Sequence, residues 1–382
     1  MSSRFRSGKC HVGPLGKADR AKAFTFAEHR TRLPMKLCIC IPTYNRAGLL
    51  ARAVQSVYAQ TEPGLDFQVL ISDNHSSDET PLVVEDLRKR YQSIRYIRNA
   101  ENRGVDGNLE CLIKNAEGDY IVFLMDDDMH LAGTLHRINE ALIATNASFC
   151  ALNHFSFEGD VPEAPIWIAQ KAQDFEFDQG AQLLKHFDLR FASSLVIRRD
   201  LALEYLAEAL EIAKVAPHNL HLILANLVAM RTTGRFLFLG TVAVAAYTNP
   251  VVGYDMIEHG YLNSLLLFRE LHSRKCIDSR LYSRLRKRII FEVAEFALKK
   301  KFSSTRFPPD FSALRDALDG SALFVALVIP ITMLPAAALR PFNSVARAIW
   351  RLVTGMRARR GVRRHREAAL QSKNSAQTNL DA

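Results

Sequence analysis

Between Met35 and Phe155 the chain switches repeatedly between two apolar periods, and this alternation restricts its fold more than any other feature. LCICIP (37–42) is an unbroken apolar run, as expected of a strand buried on both faces. From Ala47 to Gln60 the spacing becomes helical, with Leu50, Ala53, Val54, Val57 and Tyr58 on one side. FQVLIS (67–72) reads as a second strand. Thr80-Pro81 opens a second helix, with Val84, Leu87 and Tyr91 following at helical spacing. IRYIRN (94–99) reads as a short third strand. A third helix over 105–116 gathers Leu109, Leu112, Ile113 and Ala116, and a fourth strand covers Asp119–Met125. A helix over 131–145 and a strand over 148–155 complete the series. Repeated strand–helix–strand units predict an α/β fold, a mostly parallel sheet with helices on both faces.

Beyond Phe155 the rhythm breaks. Residues 156–180 hold Pro162, Pro165 and many acids and read as a long loop. A short helix at 181–187, a strand at 191–198 and helices near 200–213 and 218–230 follow. Two long amphipathic helices are expected within 256–301. There is no internal repeat.

Residues 321–339, SALFVALVIPITMLPAAAL, run nineteen positions without a charge, near the length that spans a bilayer. Pro330 and Pro335 break a straight helix there, and both flanks are basic. The expectation is a bent, re-entrant or interfacial element. An amphipathic stretch follows it, with Arg347 and Arg351 on one side and Ile349, Trp350, Leu352, Val353 and Met356 towards the other. The arginines would face anionic lipid headgroups; a buried helix pair with a solvated tail is the plain alternative.

The net charge of +10 belongs to the ends: +6 over residues 1–34, +8 over 340–382 and −4 between them. The arginine run has few interleaved aromatics, which argues against a nucleic-acid partner. Six scattered cysteines form no CxxC pair, so neither a zinc site nor a disulfide framework is indicated, and a reducing compartment fits. Residues 1–34 lack the apolar segment of a secretory signal. They are expected to be a disordered extension, unless Met35 is the true initiator.

Three polar clusters stand at carboxyl ends of strands, where open parallel sheets bind ligands. They are Pro42–Arg46, Asp73–Asp78 and Asp126-Asp127-Asp128. Taken singly, the first two have plain readings as a helix start and a turn. Three adjacent carboxylates ending a buried strand are harder to place unless a cation neutralises them. Oxygen ligands without His or Cys point to Mg2+ or Mn2+, ions that keep open positions for substrate phosphates. Asn108, Glu110 and Asp119 read as helix surface and the start of a strand.

In that order, MKLCICIPTYNR, VLISDNHSSDET, ENRGVDGN and EGDYIVFLMDDD resemble family 2 glycosyltransferases of the GT-A (Rossmann-like) fold, over residues 35–155. FASSLVIRRD resembles the acceptor region of O-antigen sugar transferases such as abequosyltransferase-like proteins. The resemblance implies a nucleotide-sugar-binding half at 35–155 and an acceptor half at 156–250. A helical region at 251–320, a membrane-associating segment at 321–358 and a disordered basic tail at 359–382 would follow. It further implies that Thr43 and Tyr44 line the base pocket, and that Asp73 accepts a hydrogen bond from a pyrimidine ring N–H. Arg103 would approach the base or a phosphate. Asp126 or Asp127 would hold the ribose, and Asp128, with Asp126, the metal. Many relatives read D-x-D-D where this chain has Met125 first, so the register of the aspartates stays open.

The implied chemistry is inverting displacement. A base deprotonates the acceptor hydroxyl and the metal stabilises the departing diphosphate. The Glu-Asp pair that often supplies the base is missing from 156–230, which leaves Asp160, Asp174, Asp178, Asp188, His218 and His221, with Asp188 and His218 preferred. The expected protein is a glycosyltransferase at the inner face of the cell membrane, using a nucleoside diphosphate-sugar and a lipid-linked or polysaccharide acceptor. A nucleotidyltransferase would want a glycine-rich loop where PTYNR stands, and a processive synthase would want a QxxRW stretch. A nucleotide-sugar-binding membrane scaffold without turnover remains the non-enzymatic alternative.

Overall fold

The structure, a computed structural model, describes residues 22–23, 34–60, 62–157, 159, 162, 167–168, 173–248, 260–303, 312–318, 321–335 and 338–339. The expected extension at 1–34 (apart from Lys22, Ala23 and Pro34), the stretch after Arg340 and the basic tail lie outside the described residues.

Strand β1 is Lys22–Ala23. The strand–helix series then runs β2 (Lys36–Thr43), α1 (Ala47–Tyr58), β3 (Asp66–Asp73), α2 (Thr80–Arg90), β4 (Ile94–Arg98), α3 (Gly104–Asn115) and β5 (Tyr120–Phe123). All of these match the expected order. Next come β6 (Met129–His130), α4 (Thr134–Thr145) and β7 (Phe149–Phe157). The helix expected from Leu131 starts later because Met129 and His130 pair with a distant strand, and Gly133 turns the chain at φ 77°.

The series continues with β8 (Trp167–Ile168), β9 (Phe175–Phe177), α5 (Gly180–His186), β10 (Leu195–Arg198), α6 (Arg199–Ala213), α7 (Leu220–Arg231) and β11 (Phe236–Tyr247). The helices α8 (Asn263–Ser273), α9 (Ser279–Ser303), α10 (Ser312–Ala317) and α11 (Ala322–Met333) close it. Two sequence expectations need correction, and one element was not expected at all. The long loop at 156–180 includes the end of β7 and the short strands β8 and β9. The strand expected from 191 begins only at Leu195, because Ala192–Ser194 form a 3-10 turn. The twelve-residue β11 has no counterpart in the periodicity reading.

The sheet order is β1-β9-β11-β7-β10-β5-β2-β3-β4, with β6 added on β11 and β8 on β7. The longest ladders are parallel: β2 with β3, β3 with β4, β2 with β5, and β7 with β11. β10 is antiparallel to both β5 and β7 and joins the two parallel parts. Alternate residues of β2 explain its unbroken apolar run. Leu37, Ile39 and Ile41 pack towards α1, α2 and α4, and Cys38 and Cys40 towards α3, α6 and α7. The second face continues into α8, α9, α10 and α11, whose Leu265, Ile289, Leu314 and Phe324 belong to the same cluster.

The long β11 bends where it must. Its register against β7 shifts between Leu239 and Val242. A Cβ on Gly240 would stand 2.2 Å from the Gln173 carbonyl oxygen, so only glycine fits there. Asp174 accepts from the Gly240 N–H at 2.7 Å, and Asn153 donates to its carbonyl at 2.8 Å. The bend carries Tyr247 to the carboxyl end of β5.

Candidate active site

β2, β3 and β5 run parallel and end together, so their terminal residues form one rim; Thr43 is the register partner of Asp73. Four asparagines tie this rim from beneath. Asn74 donates its backbone N–H to the Thr43 carbonyl at 2.9 Å, and its side chain donates to Asn102 Oδ1 at 2.7 Å. Asn74 Oδ1 accepts from Asn99 Nδ2 at 3.1 Å and from the Arg103 N–H at 2.9 Å. Asn108 was expected on the helix surface; it is buried, and its Oδ1 accepts from Ser72 Oγ at 2.6 Å and Asn99 Nδ2 at 3.1 Å. Its Nδ2 donates to the Ser72 carbonyl at 3.0 Å. The helical spacing that placed Asn108 outside missed it because a buried amide on an otherwise apolar face is polar in sequence and interior in space.

A second stitch joins the first two loops. Asn45, at φ 53°, accepts the Ser77 N–H at 2.7 Å and gives its own N–H to Ser76 Oγ at 2.9 Å. Asp78 accepts from the Ala47 N–H at the start of α1 at 3.1 Å and from the Thr80 N–H at the start of α2 at 3.0 Å. These caps hold its carboxyl below the usual range, against burial that raises it. Asp73 is fully buried and accepts from the Ser76 N–H at 2.8 Å and the Tyr96 hydroxyl at 2.7 Å. Burial, and then that contact, push the Tyr96 phenol up.

The three aspartates divide. Asp126 Oδ1 and Asp127 Oδ2 converge on a single atom, Arg46 Nη1, at 3.0 and 2.8 Å. Burial pushes Asp126 up to about 6; Arg46 pulls it back and the Asp127 charge adds to the rise. Burial likewise raises Asp127. Asp128 faces inward and is 3% exposed. Its Oδ2 accepts from Ser193 Oγ at 2.5 Å and its Oδ1 from the Tyr247 N–H at 3.0 Å. Ser193 Oγ in turn accepts the Met125 N–H at 2.8 Å. Burial, then the Asp127 charge, raises the Asp128 carboxyl well above its usual value. The expected main metal ligand therefore has both oxygens engaged by the protein.

Among the described residues, no three His, Cys, Asp or Glu side chains form a cluster able to hold a metal. Mg2+ and Mn2+ are commonly held by one or two carboxylates plus substrate phosphates, however. Asp126 and Asp127 meet that pattern, since two carboxylate oxygens already share one positive centre.

The remaining expected residues are placed as follows. The Thr43 hydroxyl is buried beside Asp126 without a hydrogen bond of good geometry, and Tyr44 stands exposed next to it. Arg103 pairs with Glu110 at 2.8 Å at the start of α3. Asp188 forms a forked pair with Arg190, at 2.9 and 2.6 Å, and Arg190 also reaches Glu292 at 2.7 Å. His218 has φ 64°, and its N–H is held at 2.6 Å by Asp106 of α3, which also caps Leu220 at the start of α7. His221 is buried and contacts the Arg190 carbonyl at 3.3 Å, Asp174 staples Gly240 and Arg137, and Asp178 is exposed. Asp160 lies outside the described residues.

Thr43, Asp73, Arg103, Asp126 and Asp127 thus share one rim. Sequence reasoning missed Arg46, Ser193 and Tyr96 as partners of its acids. A basic residue directly after the first strand was the available signal for Arg46. Ser193 and Tyr96 carried none, because each meets its aspartate only through sheet pairing.

Residues 38–206 match the family described as Glycosyl transferase family 2. The GalNAc(5)-diNAcBac-PP-undecaprenol beta-1,3-glucosyltransferase of Campylobacter jejuni is 38% identical over 101 residues, 26% of this chain and 32% of that protein. Abequosyltransferase RfbV of Salmonella typhimurium is 38% identical over 95 residues, 25% of this chain and 28% of that protein. The matched part spans at most 32% of either relative. Among solved structures, a fragment of Staphylococcus aureus TarS superposes with a TM-score of 0.55 at 17% identity, covering 82% of this chain and 87% of that one. The mannosyltransferase PcManGT of Pyrobaculum calidifontis, in complex with GDP-Man and Mn2+, gives 0.51 at 18% identity, covering 89% and 88%. At these identities the likeness concerns the fold alone, and that fold is the GT-A arrangement.

Proposed function

From a chain whose residues 38–206 form a family 2 glycosyltransferase domain, we propose a metal-dependent, inverting transfer of one sugar from a nucleoside diphosphate-sugar to a lipid-linked or polysaccharide acceptor. One observation carries the reading: Asp126 and Asp127 converge on a single cationic centre at the rim where three parallel strands end. A divalent ion held by these two carboxylates would stabilise the charge of the leaving diphosphate. Arg46 holds the two carboxylates in place of the ion, and would turn from them towards the diphosphate when an ion is bound. Asp128 acts from below as a positioning residue, fixing the turn after β5 through Ser193 and the Tyr247 N–H.

The base pocket is assigned to Thr43, Tyr44, Asp73 and Arg103. Asp73 is fully buried under the Ser76 N–H, the Tyr96 hydroxyl and Arg98 at 3.6 Å, so a ring N–H would reach it once Tyr96 or the exposed Arg98 side chain turns aside. Arg103 would exchange Glu110 for a phosphate or the base edge. The donor class is supported by TarS, solved in complex with UDP-GlcNAc, and by PcManGT with GDP-Man and Mn2+. The acceptor class is supported by the Campylobacter relative, whose name specifies a PP-undecaprenol-linked glycan. Contact with the inner face of the membrane is assigned to 321–358. Among the described residues no helix is long and apolar enough to cross a membrane, and α11 has Pro330 within it.

The test is a thermal-shift screen of nucleoside diphosphates with and without Mn2+. UDP or dTDP should stabilise the chain only with the metal, by about 2.7 kcal/mol at a hundredfold excess over Kd. Asp127→Ala should abolish the shift. Equal stabilisation without metal would refute the reading. One observation favours the scaffold alternative: Asp188, a preferred base, is locked in its fork with Arg190. Turnover of the donor, to an acceptor or to water, separates the two; binding without turnover would favour the scaffold.

A further inference from the structure

The last long helix pair carries an outward face that the donor site does not use. Arg286 of α9 reaches the Leu318 carbonyl just after α10. Lys301, fifteen residues further along α9, donates to the Ile331 and Thr332 carbonyls at 2.5 and 3.1 Å. Helix α11 therefore runs alongside α9 in the same direction. Its Phe324 and Val328 face inward and are buried. Its outer side is apolar and open, with Val325 48%, Met333 78% and Leu334 42% exposed.

On α9 the residue one step round from Arg286 is Lys287, about 100° away on the solvent side. It belongs to a stripe of Arg280, Arg284, Lys287 and Phe291 at helical spacing, all exposed, with Phe291 57% accessible. Among the described residues none of these three cations pairs with an acid. The acids of α9 sit elsewhere: Glu292 turns inward to Arg190, and Glu295 is partly buried. The sequence beyond α11 adds ten Lys/Arg against two acids over 340–382. Free positive charge thus stands in one stripe with the exposed Phe291 of α9, and the neighbouring α11 adds exposed apolar side chains.

We propose that α9 and α11 together form a docking face for an anionic lipid bilayer. Arg280, Arg284 and Lys287 meet headgroups, and Phe291, Val325 and Met333 enter the interface. This deepens the membrane-contact part of the functional reading by adding α9, which the sequence pattern did not implicate. It also orients the GT-A sheet against the surface that holds a lipid-linked acceptor.

The test is co-sedimentation of the full chain, without donor or metal, with vesicles of phosphatidylcholine alone or containing phosphatidylglycerol. The wild type should bind the anionic vesicles preferentially. Each basic residue at such a surface contributes about fivefold in partitioning, so R280Q/R284Q/K287Q should bind on the order of a hundredfold more weakly. V325S/M333S should weaken binding to both vesicle types. The basic chain beyond Arg340 is unchanged in every variant and cancels in the comparison. Wild-type binding by both variants would overturn the proposal. So would a dimer in vesicle-free solution that V325D/M333D dissociates, since the face would then be covered by a second copy. Substitutions of exposed residues leave the fold intact, which unchanged melting temperatures and far-ultraviolet circular dichroism without ligand report. Because binding is measured without donor, its failure and a failure of the transferase reading are separate results.

Discussion

Replacing Asn108 by alanine should destabilise the whole donor-binding half and loosen the rim above it. The buried amide makes three well-formed hydrogen bonds, to Ser72 Oγ at 2.6 Å, the Ser72 carbonyl at 3.0 Å and Asn99 Nδ2 at 3.1 Å. Each such bond is worth about 1 kcal/mol net, and partners left buried without one cost more, so the loss should be about 3 kcal/mol. Through Asn99 and Asn74 the damage reaches the Arg103 N–H and the Gly104 carbonyl at the start of α3. Nucleotide affinity should therefore fall together with stability. The control is Asn115→Ala on the same helix: Asn115 is exposed and its side chain bonds only to Cys111 one turn back, so it should shift stability by less than about 0.5 kcal/mol. Urea unfolding followed by far-ultraviolet circular dichroism measures both. Equal midpoints for the two variants would refute the view that this asparagine network holds the rim.

Ser193→Ala removes one of two donors to a buried carboxylate and should cost about 2 kcal/mol, with loss of the Mn2+-dependent UDP shift; Ser193→Thr, which keeps the hydroxyl, should retain most of both. Asp126→Asn should stabilise the metal-free protein at pH 7 by up to about 3 kcal/mol while abolishing metal-dependent nucleotide binding. The sign follows from a folded pKa raised from 3.8 to about 6: the stability linked to this carboxyl is full below its unfolded pKa and lost as pH rises through 6. Melting temperatures at pH 4 and 7 should therefore show the gain only at the higher pH. Burial pushes His130 and His154 down to about 4, so each contributes stability that is present above about 6.5 and lost as pH falls through 4, on the order of 3 kcal/mol each. His130→Gln should flatten the acid limb of the urea midpoint against pH.

Local pattern was enough for the parallel half of the sheet. β2 and β3 are buried on both faces, so their sequences are continuous apolar runs that need no tertiary knowledge to recognise. Thr80-Pro81 marked the start of α2, and the polar clusters after β2, β3 and β5 marked the rim. Pattern failed where a residue's neighbour is far along the chain. β11 is interrupted by Gly240, whose only explanation is the backbone of Gln173 across the sheet.

The amino-acid order by itself determined the strands and helices of the parallel half, and that three polar strand ends, two of them acid-rich, share one edge. It also carried the resemblance to family 2 glycosyltransferases, through four short motifs in sequence, and residues 38–206 match that family's model. Only the tertiary structure divided the aspartates, turning Asp126 and Asp127 to Arg46 and burying Asp128 under Ser193 and Tyr247, 65 and 119 residues away. The physical reason is that burial and hydrogen-bond saturation belong to packed neighbours. Three identical side chains in a row have identical local chemistry until distant chain closes over one of them.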